Sequence, residues 1–565
     1  MLDRAEYDRF RVAPTDPATL RAADVERIVK QLAASSGGRM QLEKFAESLE
    51  GRPIYLLALG TGPRRVLLWS QMHGDEPTHT AVMLDLFNYL LQQPAKPFAA
   101  EILAGSTLLF IPMLNPDGAE AGIRFNAQGI DINRDWRRLV TPEGRALLRA
   151  AKTLNPQFGF NLHNQNARTA VGRPPRPAAV SVLAPAPDAS RTEPPTMRIA
   201  KQMCTCFVEA VRPYAKGMIS RYDDTYEPRA FGDGIQSLGV STMLVEAGGW
   251  PDVDPEPMTR LHFHGMLATL HAIATDKYRE DDPQIYEDLP ESNSTRMNDC
   301  LIAKGNALDA KVVQPFVADI VIDQTHSDRL AVTSNRDGRI IDIGDLPVVP
   351  ARLTIAAASS LVIPGQFTLA PDWEPGTALD DRRIGELLAQ GTTTLVGVVE
   401  LSDREAVESI GAPQNLPFNW AFVGSADALG GLKGSEVVER IAIAAANGLV
   451  AVVSKGTDET LWRHVNQFGL RLIKPMQLPQ QVAGSYQDAA KLAWDIAHAL
   501  QQQSRRGRIN REYVADLLFF DDVPTADATR PIDWKKLKRV MLAGETVWNA
   551  GRRTGPDCGI QLRRG

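Results

Sequence analysis

Four clusters of chemically capable residues each sit at the end of an apolar run. They are His73-Gly74-Asp75-Glu76 after VLLWSQM, Asn115-Pro116-Asp117-Gly118 after LLFIPML, His163 after QFGFNL, and Glu246 closing STMLV. Imidazoles and carboxylates are the ligands of a catalytic zinc, which takes three protein donors and keeps a fourth position open. His73-x-x-Glu76 aims a nitrogen and an oxygen at one point on a helical turn or strand-to-helix bend, and His163 offers a third donor. Glu246 closes an apolar run, and an acid there is desolvated, which raises its pKa toward neutrality. A lone HxxE arises by chance in chains of this length, and a single histidine beside an apolar strand is commonly a packing residue. The set therefore carries meaning only if the four ends meet.

The elements that would bring them together are legible. Buried strands of a parallel or mixed α/β sheet read as continuous Val/Ile/Leu stretches, and such sheets build sites beyond the carboxyl ends of their strands. From residue 52 to about 280 such stretches alternate with amphipathic helices, for example over 81–91 and 197–211, an α/β signature. The expected fold class is α/β: an N-terminal mixed sheet flanked by helices, a small β-rich region, then a second α/β domain. The expected divisions are a helical segment over 1–50 (with helical patterning at 24–30 and 41–47), a catalytic domain over 51–282, a linker and small β-rich region over 283–365, an α/β domain over 366–520 and a C-terminal extension over 521–565. The Pro-, Ala- and Ser-rich stretch 171–196 reads as a long surface loop inside the first domain.

A chain of 565 residues is long enough for two or three domains. With 44% hydrophobic and 23% charged residues it reads as soluble and globular. The net charge of −6 argues against non-specific nucleic-acid binding. The N-terminus has no apolar core of a signal peptide, and no apolar stretch approaches the roughly 20 residues that span a bilayer. Cys204, Cys206, Cys300 and Cys558 read as small buried thiols. A cytoplasmic protein with neither nucleic-acid nor membrane partner is expected, and no feature fixes an oligomeric state.

The string from Asn115 to Trp136, NPDGAEAGIRFNAQGIDINRDW, follows the HxxE and precedes the strand-end histidine and glutamate. Together these parts resemble the signature of the zinc carboxypeptidase family, the funnelin-type metallocarboxypeptidases, over roughly residues 50–275. The resemblance implies a carboxypeptidase-like mixed sheet and one zinc ion per chain, held by His73, Glu76 and His163. It implies Glu246 as general base and Arg124 as the group stabilising the oxyanion. Asn133 and Arg134 match the pair that holds the substrate's terminal carboxylate, a task suited to a guanidinium fork with two parallel charge-assisted hydrogen bonds. A loop tyrosine is also implied; Tyr222 and Tyr226 compete for it, and Tyr226 is preferred. Asp75 departs from those family members that carry arginine in the HxxE loop. His79, His262, His264 and His271 read as packing or helix-face residues. The implied activity is zinc-dependent hydrolysis of a C-terminal peptide bond, on a peptide or small amide with a free carboxylate. The enzymatic rival is a desuccinylase-type deacylase acting on an acylated amino acid, which shares HxxE and the Asn-Arg pair. A non-catalytic binding or scaffold protein is the rival of another class. NPDG and the tyrosine loop favour the peptidase.

Short β-like runs dominate 300–365, and strand and helix alternate over 376–503, with helices expected at 437–447, 461–468 and 486–502. Segments such as Ser360-Leu-Val-Ile-Pro-Gly and Gly391-Thr-Thr-Thr-Leu-Val-Gly faintly resemble metal-dependent amidohydrolases. The place of their H-x-H pair reads Phe367-Thr-Leu-Ala-Pro-Asp-Trp, without histidine, so a second metal centre is not expected. Lys455 reads as a surface lysine and the basic run 535–539 as a solvated helix face.

Overall fold

The computed structural model describes residues 1–251 except Pro174, residues 256–309, and shorter stretches between 315 and 553. The chain divides into two compact units, Met1–Met297 and a second beginning at Asn298.

In the first unit the strands are β1 (Met40–Glu47), β2 (Pro53–Leu59), β3 (Arg64–Ser70), β4 (Ser106–Ile111), β5 (Phe158–Asn164), β6 (Thr169–Val171), β7 (Arg176–Pro177), β8 (Val180–Leu183), β9 (Ile219–Arg221), β10 (Ser241–Ala247) and β11 (Asn293–Arg296). Eight of them form one mixed sheet in the order β1-β2-β4-β3-β5-β10-β8-β9, and β11-β6-β7 form a small sheet. Strands β4, β3, β5 and β10 run parallel, so their carboxyl ends and the loops that follow emerge on one edge. Every residue of β10 is buried, as are all but the last of β5, because both faces of the sheet are covered.

The helices are α1 (Arg4–Asp8), α2 (Ala22–Ser35), α3 (Thr78–Gln92), α4 (Pro97–Gly105), α5 (Pro116–Ala121), α6 (Pro142–Thr153), α7 (Pro195–Val211), α8 (Phe231–Ser237), α9 (Glu256–Ala274) and α10 (Gln284–Glu287). On one face Leu68, Phe160, Leu162 and Val245 pack against α3, α7 and α9. On the other Leu67, Trp69, Leu109 and Ile111 pack against Leu147 of α6 and Phe231 and Ile235 of α8. Each large apolar side chain buried this way contributes about 1.5–3 kcal/mol. The mixed α/β architecture matches the expectation from the sequence.

Three local readings are corrected. Residues 41–47 are not helical: MQLEKFAE forms β1 and pairs antiparallel with β2. Its buried residues, Met40 and Phe45, suit a half-exposed outer strand, and its Leu, Glu and Lys content masked that pattern. The stretch 171–196 is not wholly a surface loop, because VSVL within it is the fully buried β8, paired with β10 and β9. The basic run 535–539 is not a helix face but a single 3-10 turn, Trp534–Lys536, leading into the strand Leu537–Leu542.

The second unit holds a nine-stranded sheet built from Asn298–Ala307 through Ser360–Pro364 together with Leu517–Asp521 and the strands after it. It also holds a five-stranded parallel sheet from Gln366–Ala370 to Arg471–Ile473. Helices Asp381–Ala389, Gly434–Ala446 and Glu459–Gln467 alternate with the parallel strands. Cys204 and Cys300 are buried and Cys206 is partly buried. Lys455, Cys558 and most of the helix expected over 486–502 lie outside the described residues. Among the described residues no helix is long and apolar enough to cross a membrane.

Candidate metal centre and active site

His73 and Glu76 lie on the loop between β3 and α3, and the chain must turn sharply to place both. Gln71 takes a left-handed conformation with φ 50°, held by its side chain: Nε2 donates to Gly74 O at 2.9 Å and Oε1 accepts from Thr80 Oγ1 at 2.9 Å. Gly74 meets the Asn115–Gly118 turn backbone to backbone, and a Cβ on it would stand 2.0 Å from the carbonyl carbon of Gly118. Asn115 caps α5 by accepting from Gly118 N–H at 2.9 Å. Asp117 in turn accepts from Ser48 Oγ and Arg52 Nη1, both at 2.7 Å, and so ties the turn to the β1–β2 connection. HxxE and NPDG are thus two halves of one packed junction.

His163, near the end of β5, is the register partner of Glu246 on β10. Its Nδ1 lies 3.2 Å from His73 Nδ1 and 2.7 Å from Glu76 Oε2, while His73 Nδ1 lies 2.8 Å from Glu76 Oε1. The donor atoms of His73, Glu76 and His163 all fall within 4.8 Å of one another, and among the described residues no other group of three could hold a metal ion. A tetrahedron with ligands at about 2.0–2.1 Å has edges of roughly 3.3 Å, close to this spacing. His73 Nε2 lies 3.1 Å from Asp131 Oδ1. With the ring proton on Nε2, that hydrogen bond leaves the Nδ1 lone pair facing the centre, as a metal ligand needs.

The electrostatics favour a cation. Burial lowers the pKa of His73, but Glu76 and Asp131 outweigh it and hold the imidazole up to about 9. Burial likewise opposes ionisation of Glu76, yet the two imidazoles keep its carboxyl well below the usual range. The negative field that keeps a proton on His73 would equally attract a divalent ion. Glu246 is buried and its Oε2 has no partner. Burial, then the charge of Glu76, pushes its pKa well above the ordinary carboxylate value.

Arg124 joins the cluster. Its Nε and Nη2 donate to Asp131 Oδ2 at 3.1 and 3.0 Å, and its Nη1 donates to Glu76 Oε1 at 3.3 Å. Asn133 accepts the Phe231 N–H on Oδ1 at 2.9 Å, which fastens it to the start of α8. Arg134 is partly exposed, with Nη1 on Asn133 O at 2.8 Å and Nε 3.4 Å from Glu227 Oε2.

The two loop tyrosines, Tyr222 and the preferred Tyr226, differ in their surroundings. Tyr222 continues directly from β9, its N–H donating to Val182 O at 2.9 Å. Its phenol is pushed up to about 12, by burial first and then by Glu246 and Glu76, so it lies in the field of both carboxylates. Tyr226 is four residues further along the loop and makes no hydrogen bond among the described residues. Asp131, which the sequence reading quoted without a role, is the hub joining His73 to Arg124; its place two residues before the Asn-Arg pair was the available signal. His79 and His262 pack as a buried pair with ring nitrogens 3.0 Å apart, outside the ligand group. His271 stacks on Phe98 with centroids 4.0 Å apart.

Residues 25–170 match the family model described as zinc carboxypeptidase, and the resemblance read from the sequence is borne out over that span. Carboxypeptidase SOL1 of Arabidopsis thaliana is 28% identical over 120 residues, 20% of this chain and 24% of that protein. The human carboxypeptidase N catalytic chain is 24% identical over 199 residues, 27% of this chain and 43% of that protein. The chain therefore spans less than half the length of these relatives. A metallo-carboxypeptidase from Burkholderia cenocepacia aligns in structure with a TM-score of 0.37 and 22% identity, covering 45% of this chain and 69% of that one. The matched family is zinc-dependent, and the His73–Glu76–His163 group is a possible site for that ion.

Proposed function

We propose that this chain is a zinc-dependent carboxypeptidase that removes the last residue of a peptide. One observation carries the reading: a buried His-Glu-His donor group stands beside a buried glutamate whose Oε2 has no hydrogen-bond partner and which is paired in register with one of the histidines. Zinc, when bound, supplies a Lewis acid that polarises a carbonyl oxygen and lowers the pKa of a water. The remaining work falls to the protein's own groups. Asn133 and Arg134 take the terminal carboxylate and so fix which peptide bond is presented. Arg124 meets the negative charge that develops on the scissile carbonyl oxygen, where a fixed cation stabilises the transition state more than the ground state. Glu246 Oε2 accepts the proton of the attacking water and passes it to the leaving nitrogen as the C–N bond breaks. Tyr222 closes over the site from the β9 end. The cytoplasmic setting and the single ion per chain belong to the same proposal.

The test compares zinc-loaded full-length protein on matched peptides with free and amidated C-termini, and on acyl-amino acids. Cleavage of free-carboxylate peptides alone is expected, and Glu246→Gln should lower the rate by about 10²–10⁴-fold while zinc content is retained. Hydrolysis of acyl-amino acids but not of peptides would replace this reading with the deacylase. Activity unchanged by Glu246→Gln would end the catalytic assignment.

A further inference from the structure

The amino ends of the parallel strands, at the edge of the sheet away from the metal centre, border a cavity of about 630 Å³ within the first unit. That size falls in the range of about 300–1,000 Å³ in which small ligands are bound. The chain builds it where two helices stop. α6 ends at Thr153 and α9 at Ala274, and each is followed by a left-handed residue, Asn155 with φ 48° and Asp276 with φ 62°. Asparagine and aspartate accept that conformation more readily than most residues. Both line the cavity, and the turns they make carry the chain into β5 and into the 3-10 turn Lys277–Glu280.

The walls are apolar and the charge is one-sided. Phe158, Val240 and Tyr278 are buried against the cavity, and Leu238 stands 44% exposed at its open side. Three cations, Arg64, Lys152 and Arg279, line it against the one carboxylate of Asp276. That carboxylate is already committed: Arg64 Nε donates to its Oδ1 at 3.2 Å and Arg64 Nη2 to its Oδ2, which holds the acid below its usual range. The carbonyls at the helix ends are taken too, Ala274 O by Arg64 Nη1 at 3.0 Å and Leu154 O by Arg65 Nε. Two cations remain. Among the described residues Lys152 makes no ion pair. The Arg279 guanidinium lies 5.0 Å from the Tyr278 ring centroid and meets Asp276 through Nε at 3.5 Å, which leaves its two Nη groups for another partner.

We propose that this cavity binds a small amphiphilic anion, an aliphatic or aromatic body carrying a carboxylate or phosphate head. The body covers Phe158, Val240 and Leu238, where removal of apolar surface from water drives association. The head meets Lys152 and Arg279, whose guanidinium offers paired N–H donors to either anion. A cationic ligand is repelled by this pair, and a neutral one leaves both charges unanswered. The site is separate from the proposed catalytic centre. Phe158 to His163 on β5 and Ser241 to Glu246 on β10 are each five residues apart, about 17 Å at 3.3 Å per residue. The inference therefore stands or falls independently of the carboxypeptidase reading.

The experiment titrates the zinc-loaded full-length protein by calorimetry with 4-phenylbutyrate and with phenyl phosphate. Neutral 4-phenylbutanamide, cationic 4-phenylbutylamine and inorganic phosphate are the comparisons. One anionic probe should bind per chain, its tighter head group identifying the anion, and each comparison should bind at least about tenfold more weakly, because it lacks either the charge or the apolar body. Lys152→Gln with Arg279→Gln should weaken anion binding by about tenfold, the scale of one lost hydrogen bond to a charged group. Both side chains are exposed, so thermal unfolding should not change. Leu238→Glu, which sets a carboxylate at the open wall, should weaken the anions as much, whereas Arg134→Gln should bind them like the wild type. Binding that is lost in Arg134→Gln but survives the double variant puts the anion at the catalytic centre and overturns the proposal. Equal binding of the amine or of inorganic phosphate, or no binding of either anionic probe, overturns it as well.

Discussion

Gly74→Ala probes the junction on which the metal centre depends. The added methyl would stand 2.0 Å from Gly118 C, 2.3 Å from Ala119 N and 2.4 Å from Gly118 O, where ordinary contact begins near 3.4 Å. About 1.4 Å of separation is needed, and neither side yields easily. Gly118 is pinned by Asn115, and a Cβ there would itself meet Phe125 O at 2.5 Å. Gly74 is held by Gln71 and sits between His73 and Glu76. The HxxE loop must therefore move relative to His163, which is fixed in the sheet. Overpacking of this kind costs about 1–3 kcal/mol, and a shift of about 1 Å in catalytic groups costs on the order of 10²-fold in rate. Zinc affinity should fall by about 10–100-fold, the usual effect of disturbing groups that orient metal ligands. Competition against a chromophoric chelator measures the affinity, and thermal unfolding of the metal-free protein measures the strain. Gly129→Ala is the comparison: φ is 73° but nothing lies within 4 Å of the added carbon, so it should lose stability without losing zinc affinity. A Gly74→Ala protein that binds zinc like the wild type and melts at the same temperature would refute the junction.

Two further predictions concern ionisation and the loop. Asp85 on α3 accepts from Tyr7 Oη at 2.7 Å, Val12 N–H at 2.7 Å and Ala13 N–H at 3.0 Å, yet burial dominates and raises its pKa from 3.8 to about 6. The folded state therefore holds that proton more tightly than the unfolded one. For this group, stability is greatest below about pH 4 and is lost as pH rises to about 6, by about 3 kcal/mol at roughly 1.4 kcal/mol per pH unit. Asp85→Asn should flatten that loss in denaturant titrations at successive pH values, and parallel wild-type and variant profiles would contradict the account. Tyr222→Phe should lower kcat/KM by about tenfold or more, the scale of one lost hydrogen bond to a charged group, whereas Tyr226→Phe should leave it within twofold. The reverse pattern would restore the sequence preference.

Much of the site was legible because the sheet advertises it. Apolar runs such as VLLWS and FGFNL mark buried parallel strands, and the reactive residues stand where those runs stop. What could not be read depends on side-chain environment. MQLEKFAE satisfies a helical pattern as well as a half-exposed strand, and only pairing with β2 decides between them. VSVL is four residues long inside a proline-rich stretch, too short for periodicity to outweigh its flanks. Tyr222 and Tyr226 differ only in how far each lies from the end of β9.

Zinc content after equilibrium dialysis of the full-length chain and of His163→Ala tests the central claim most directly, because the three donors come from two separate strand ends and form a site only if those ends meet. The account predicts one tightly held zinc per chain in the wild type and a loss of at least about 10²-fold in affinity when the imidazole from β5 is removed. A wild-type protein that retains no zinc, or a variant that holds it as firmly as the wild type, would contradict it.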